Sequence, residues 1–217
     1  MKIERFILGS YQTNSYLLKV DRESEDCLII DAGLEPRPLT DYLAQNRLNP
    51  LAILLTHGHA DHIAGINTLR QNFDKIKVAV HKADAKMLTT PEENLSFLAG
   101  VSVTAGSPDI ILEDETIIEF ADIKLKVLHT PGHTPGGICL HCRQENLVFT
   151  GDTLFAESVG RTDLAGGNPE TAHQQLITSI KEKLLPLPEE TTAYPGHGSQ
   201  TTIAREKKYN PFLKTSA

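Results

Sequence analysis

The chain has 217 residues and a formal net charge of −7, with 21 Lys and Arg against 28 Asp and Glu. That length supports one substantial core, and the scattered basic residues form no stripe that would neutralise a run of phosphates, which excludes nucleic acid as an expected partner. Three cysteines, Cys27, Cys139 and Cys142, make an odd set with no disulfide framework, and no apolar run approaches the roughly 18 residues a spanning helix needs, so a cytoplasmic protein with no membrane partner is expected.

The first strand-like runs are "KIERFIL", "NSYLLKV" and "DCLIIDAG", each bounded by polar or glycine residues. Alternation of helix and strand follows: "TDYLAQNRL" reads as a helix, "LAILLT" as a buried strand, "DHIAGINTLRQNF" as one helix and "KVAVH" as a strand. The middle, with "TTPEENLSFLAG" and "AGSPD", is rich in loop residues. Strands resume with "TIIEF", "IKLKVLHT", "GGICLHC" and "NLVFTGD". A helix over "PETAHQQLITSIKEKLL", a short strand at "TAYPG" and a final helix near "TTIAREKKY" complete the chain. Two similar rounds of strands then helices predict an α/β sandwich of two sheets with helices outside, as one domain over residues 1–217. In "GGICLHC" a spacing of three on a strand sends Cys139 and Cys142 to opposite faces, so they read as ordinary strand cysteines.

Chemistry concentrates in "THGHADH", directly after the strand "LAILL". His57 and His59 stand two apart, and in extended backbone such side chains point the same way and can grip one metal ion. Asp61 and His62 open the next helix, where Asp61 also suits an N-cap. Three imidazoles on one turn would each need a buried partner in a purely structural role, whereas metal ligation accounts for all of them. Completing such a site takes ligands from elsewhere. His133 in "HTPGHTPGG", Asp152 in "FTGDTLF" and His197 in "AYPGHG" each lie in a glycine-flanked turn after an apolar strand. Outside these motifs, His81, His129, His141 and His173 read as structural or exposed. Arg161 and Asp163 in "GRTD" read as an ion pair bracing the loop after Asp152, with an anionic substrate as the other use of Arg161. Thr56 and Thr130 read as hydroxyls supporting the ligands.

"HGHADH", "HTPGHT", "TGDTLF" and "YPGHG" together resemble the metallo-β-lactamase superfamily over nearly the whole chain, and "LFAESVGRTDLAGG" with "YNPFL" is most similar to its small glyoxalase-II-like hydrolases. The resemblance implies an αββα sandwich with two divalent metal ions at one edge. His57, His59 and His133 would hold the first and Asp61, His62 and His197 the second, with Asp152 bridging. It further implies a hydroxide shared by the metals that attacks a thioester of the hydroxyacylglutathione type, with Asp61 orienting it. Zinc is the favoured metal, and iron or manganese suits the same imidazole and carboxylate ligands. The substrate partner would be a small thioester, glutathione-derived in the family. Full-length glyoxalase II enzymes carry a C-terminal helical domain whose basic residues hold glutathione, and this chain ends at Ala217, soon after His197; the expectation is therefore weak saturation with glutathione thioesters, unless the 89–108 segment covers the site. "GRTD" and "HTPGHT" also resemble the persulfide dioxygenases of the superfamily, which use a single iron, and that is the alternative activity. Phe155 stands where the superfamily's lactonases carry tyrosine, which weighs against lactone hydrolysis.

Overall fold

The computed structural model of the protein describes residues 1–164 and 168–214. Its first half runs β1 (Lys2–Leu8), β2 (Thr13–Lys19), β3 (Asp26–Ile30), α1 (Arg37–Gln45), β4 (Asn49–Leu54), α2 (Ala60–Ile63), α3 (Ile66–Asn72), β5 (Lys77–His81) and β6 (Ile110–Leu112). These strands form one sheet in simple chain order, antiparallel from β1 to β3 and parallel from β3 to β6. The second half runs β7 (Ile117–Phe120), β8 (Ile123–His129), β9 (Ile138–Cys142), β10 (Leu147–Gly151), a small hairpin β11 (Leu154–Phe155) and β12 (Ser158–Val159), then α4 (Pro169–Ser179), β13 (Thr192–Pro195), β14 (Thr201–Thr202) and α5 (Ile203–Tyr209). Its sheet has the order β14-β13-β10-β9-β8-β7, in which only β10 and β13 pair in parallel among the described residues.

Strand periodicity sorts the side chains into three apolar layers. Leu18, Leu28, Ile30 and Leu54 meet Leu140, Leu147 and Phe149 between the two sheets. Their chain neighbours Leu17, Ile29 and Ile53 point the other way and pack against Leu39, Leu43, Ile66 and Leu69 of α1 and α3. On the far side, Val148 and Cys139 pack with Leu176 of α4 and Ile203 of α5. Burying the in-between residue of each strand on the opposite face yields the four-layer αββα order. Cys139 and Cys142 fall in different layers, as their spacing predicts, and both are free thiols.

Three elements depart from the sequence expectation. The helix expected over 61–73 is two helices, because at Gly65 the backbone presses on Gly33, whose carbonyl oxygen lies 2.6 Å from where a Cβ would stand. The helix expected over 169–185 ends as α-helix at Ser179 and closes with a π turn at Ile180–Leu184; Pro169 at its start is capped by Asn168, whose Oδ1 accepts from the Glu170 and Thr171 amides. The last helix begins at Ile203, since Thr201 and Thr202 first extend the second sheet and the Thr202 hydroxyl then caps α5. Among the described residues no helix is long and apolar enough to cross a membrane.

Candidate metal centre

The parallel pairs β3/β4 and β10/β13 place four strand C-termini along one rim of the sandwich, and every ligand candidate lies just beyond a strand end on that rim, Asp61 and His62 in the short helix α2. Beyond β4 come His57, His59, Asp61 and His62; beyond β8, His133; beyond β10, Asp152; beyond β13, His197. The segments are drawn tightly together. The loop after β13 is pinned to β2, where the Asn14 amide donates to the Pro195 and Gly198 oxygens and the Tyr16 hydroxyl donates to the Pro195 oxygen at 2.7 Å. A Cβ at Gly196 would collide with Asp152 Oδ1 and with His62 Cε1, so only glycine lets this loop close on the cluster.

All seven sequence candidates converge. Side-chain donor atoms form three groups in which each atom lies within 4.8 Å of the others: His57, His59 and His133; His57, His62 and Asp152; and Asp61, His62 and His197. His62 Nε2 lies 3.4 Å from both Asp61 Oδ2 and Asp152 Oδ1, and Asp152 Oδ2 lies 3.6 Å from His133 Nε2 and 3.5 Å from His197 Nε2. The groups overlap through His57 and His62. Asp61 does not cap its helix. His59 occupies that position, and Asp61 turns inward to accept from the Thr13 hydroxyl at 3.0 Å.

The outer nitrogens of the imidazoles are occupied by protein. His62 Nδ1 donates to Asp31 Oδ2 at 2.8 Å, His133 Nδ1 to the Arg161 backbone oxygen at 2.7 Å and His197 Nδ1 to the Tyr11 oxygen at 3.0 Å. The Thr56 hydroxyl gives its hydrogen to Asp31 Oδ2, so its oxygen is left to accept from His57 Nδ1 at 3.1 Å. Each of these rings therefore turns its Nε2 inward. His57 Nε2, His133 Nε2 and Asp152 Oδ1 are buried without any hydrogen-bond partner, and His62 Nε2 faces His197 Nε2 at 3.3 Å. Converging lone pairs that are buried and unpartnered are costly unless a cation fills the space between them, and the mixture of imidazole and carboxylate suits zinc, iron or manganese. The residues fit metal ions.

Charge divides the cluster. Burial, reinforced by neighbouring imidazoles, pushes His57 well below the usual histidine range and His59 down to about 3, which keeps these rings neutral as ligation requires. Burial acts in the same direction on His62 and His197. There the carboxylates outweigh it, with Asp61, Asp31 and Asp152 raising His62 to about 9, and Asp152 and Asp61 raising His197 to about 10. Asp61 and Asp152 are in turn held below the usual carboxylate range by these imidazoles, against the upward push of burial.

Two carboxylates and one hydroxyl belong to the site without having stood out in the sequence. Asp31, at the end of β3, accepts from the Thr56 amide as well as from Thr56 Oγ1 and His62. Asp84 is fully buried; it accepts from the Gly58 amide, the Thr134 hydroxyl and the Gly136 amide, and so ties the 57–62 loop to the 130–137 loop. Thr13 completes the set through Asp61. A lone Asp after a strand or within "HKADAK" carries no spacing signal, so these partners were out of reach of the sequence. Of the expected supports, Thr56 acts as foreseen, whereas the Thr130 hydroxyl contacts Cys139, Thr153 and the Gly137 oxygen and reaches no ligand. Arg161 and Asp163 do pair, through two bonds of 3.0 and 2.8 Å, while the loop itself is fixed by the Arg161 carbonyl under His133. His81 and His129 stack on each other at 4.1 Å, away from the cluster.

The cluster forms the floor of an open cavity of about 620 Å³, with Tyr11, Leu34 and Phe155 at its sides. The 89–108 segment supplies one wall, including Leu95, Leu98, Val101 and Val103, which answers the question of whether it reaches the site.

A fold of two six-stranded mixed sheets between helices, with clustered histidines and aspartates at one rim, defines a class of αββα proteins with a metal-binding rim. Residues 8–197 match the metallo-beta-lactamase superfamily, and the chain belongs to that superfamily of metal-dependent hydrolases. It is 42% identical over 214 residues to the probable metallo-hydrolase YqgX of Bacillus subtilis (strain 168), with 98% of each chain covered. Hydroxyacylglutathione hydrolase GloC of Haemophilus influenzae is 35% identical over 218 residues, with 100% of both chains covered. Among solved structures, the BLEG-1 B3 metallo-beta-lactamase superposes with a TM-score of 0.91 at 39% identity, covering 99% of this chain and 100% of that one. TTHA1623 in a di-iron-bound form superposes with a TM-score of 0.83 at 36% identity, covering 97% and 100%.

Proposed function

We propose that the protein is a dinuclear thioester hydrolase, with thioesters of the hydroxyacylglutathione type as the reference substrates. The observation that carries this reading is the set of three overlapping ligand groups opening onto one cavity. A single tetrahedral site uses about four ligands, and this rim offers more than one ion can take. The relationship to GloC over the full chain supports the thioester, and the di-iron form of TTHA1623 supports two metals.

His57, His59 and His133 would hold one ion and Asp61, His62 and His197 the other, with Asp152 between them. Divalent ions in such a site supply a Lewis acid for the substrate carbonyl and lower the pKa of water toward roughly 7. The chain's own residues set the stage. Asp31, Thr56 and the backbone oxygens of Arg161 and Tyr11 hold four of the rings at Nδ1, so that each Nε2 faces inward, where the proton that the carboxylates favour on His62 and His197 would give way to a bound ion. Asp61, braced by Thr13, presents a carboxylate oxygen able to orient a proton of the attacking water. A thiolate leaves without a strong general acid, and no serine or cysteine nucleophile is required: Cys27, Cys139 and Cys142 are all buried in apolar layers.

The test is a pair of assays on protein whose metal content has been measured. Hydrolysis of S-lactoylglutathione, followed by loss of thioester absorbance, is expected. Oxygen uptake with glutathione persulfide, unaccompanied by thioester cleavage, would overturn the proposal in favour of the dioxygenase reading.

A further inference from the structure

The wall built by the 89–108 segment is a fixed apolar surface. Asn94 is fully buried, and its side-chain amide donates to the Met87 and Val103 oxygens while its Oδ1 accepts from the Ser96 amide. The Ser96 hydroxyl accepts from the Val103 amide. The polar side chains of this wall are thus consumed in holding its own shape. Asn94 also accepts from the Ala60 amide at 2.9 Å, which fastens the wall to the segment carrying His59, Asp61 and His62. Next to it Leu95 sits at φ 69°, a left-handed conformation that a leucine adopts only when its surroundings impose it. What the wall displays is apolar. Leu98 is 75% and Val101 53% exposed, and with Leu34 and Phe155 they face the cavity above the ligand cluster.

Among the described residues, side-chain charge complementarity for a glutathione conjugate is missing from the same cavity. Such a conjugate carries two carboxylates and one ammonium, and carboxylates are recognised by arginine forks, lysines or free backbone amides. Apart from the ligand candidates, Arg161 is the one charged residue lining the cavity among the described residues. Its guanidinium is already paired through two nitrogens with Asp163.

Taking the thioester-hydrolase reading as its basis, we infer that the preferred substrates are uncharged thioesters carrying an apolar chain, which lies along Leu98 and Val101 while the carbonyl reaches the cluster. The chain can belong to the acyl or the thiol side, and the shared chemistry is aliphatic.

The experiment measures kcat/KM of the metal-loaded enzyme for thioesters of N-acetylcysteamine from acetyl to hexanoyl, for acetyl thioesters of thiols of rising alkyl length, and for S-lactoylglutathione. Burial of each methylene is worth about fourfold, so one of the two series should climb on the order of 100-fold over four methylenes. Leu98→Asp should cut the long-to-short ratio tenfold or more. Ile117→Asp, which changes a comparably exposed apolar residue of β7 that does not line the cavity, should leave that ratio as it is. Isothermal titration with acetate through hexanoate gives a second readout, with affinity rising along the series. Thioester cleavage that is indifferent to length, or that favours S-lactoylglutathione over the hexanoyl ester, overturns the inference and leaves the hydrolase reading standing. If no thioester is cleaved at all, the hydrolase reading falls, and the titration decides for the apolar wall by a rise with length or against it by a flat series.

Discussion

Asp31 follows the last residue of β3 at φ 57°, a left-handed conformation that aspartate tolerates better than most residues. There one carboxylate receives the Thr56 amide, the Thr56 hydroxyl and His62 Nδ1, so a single side chain sets both the loop after β4 and the orientation of His62. Partners of this kind typically tune metal affinity by 10- to 100-fold. Asp31→Ala should therefore lower metal affinity by about that factor, read by competition with a chromophoric chelator, and reduce turnover in proportion to lost metal. Asp152→Ala should abolish both, because the ions the two groups would hold then lose the carboxylate that compensates their charge. His129→Ala, which removes a ring stacked on His81 and bonded to the Pro135 oxygen, should leave the metal content unchanged. Unchanged metal and activity in Asp152→Ala would refute the ligand assignment. At this scale the sequence pointed to the residues that converge, because histidine two and three residues apart after an apolar strand has few other uses. It was silent on Asp31 and Asp84, whose roles depend on partners 25 and 26 residues away or more.

Loops after strands, rather than the strands, carry the chemistry, and two contacts decide whether those loops hold their form. Burial holds the Asp84 carboxyl above the usual carboxylate range, a push offset only in part by the Thr134 hydroxyl and the Gly136 and Gly58 amides. Asp84→Ala would orphan three buried donors, and since each costs about 1–3 kcal/mol, a loss of about 3 kcal/mol or more is expected in urea unfolding of the metal-free protein. A loss below about 1 kcal/mol would mean that water replaces the carboxylate freely. Gly196→Ala tests the other contact. The added methyl group collides with Asp152 and His62, so metal stoichiometry should fall while the circular dichroism spectrum and both sheets persist. Element types were largely readable, since buried strands such as "LAILL" and "NLVFTG" announce themselves by continuous apolarity. The break at Gly65 was not, because it answers to packing against Gly33, distant in the chain, and neither was the π turn after Ser179, which no local signal marks. The 89–108 segment gave only loop signals, and nothing local to it reveals that Asn94 would make it a wall.

The two halves of the molecule fold around separate sheets, yet the candidate metal centre draws its residues from both. His57 through His62 come from the first, whereas His133, Asp152 and His197 come from the second. Chelation should accordingly destabilise the whole molecule. At a free metal concentration a thousandfold above Kd the linkage amounts to about 4 kcal/mol, a fall in melting temperature measurable by calorimetry. An unaltered melting temperature after verified metal removal would show that the cluster binds too weakly to matter. The stitching of β2 to the loop after β13, through Asn14, Tyr16 and Pro195, has a kinetic side as well. These contacts join residues 179 and 181 positions apart in the chain. Closing so long a loop is entropically slow and is postponed until both sheets have docked. The centre is therefore among the last parts to assemble on the folding route, downstream of the main barrier. Metal added to a refolding solution should leave the folding limb of the chevron in place and lower the unfolding limb, so that its whole effect appears as a longer lifetime of the native state.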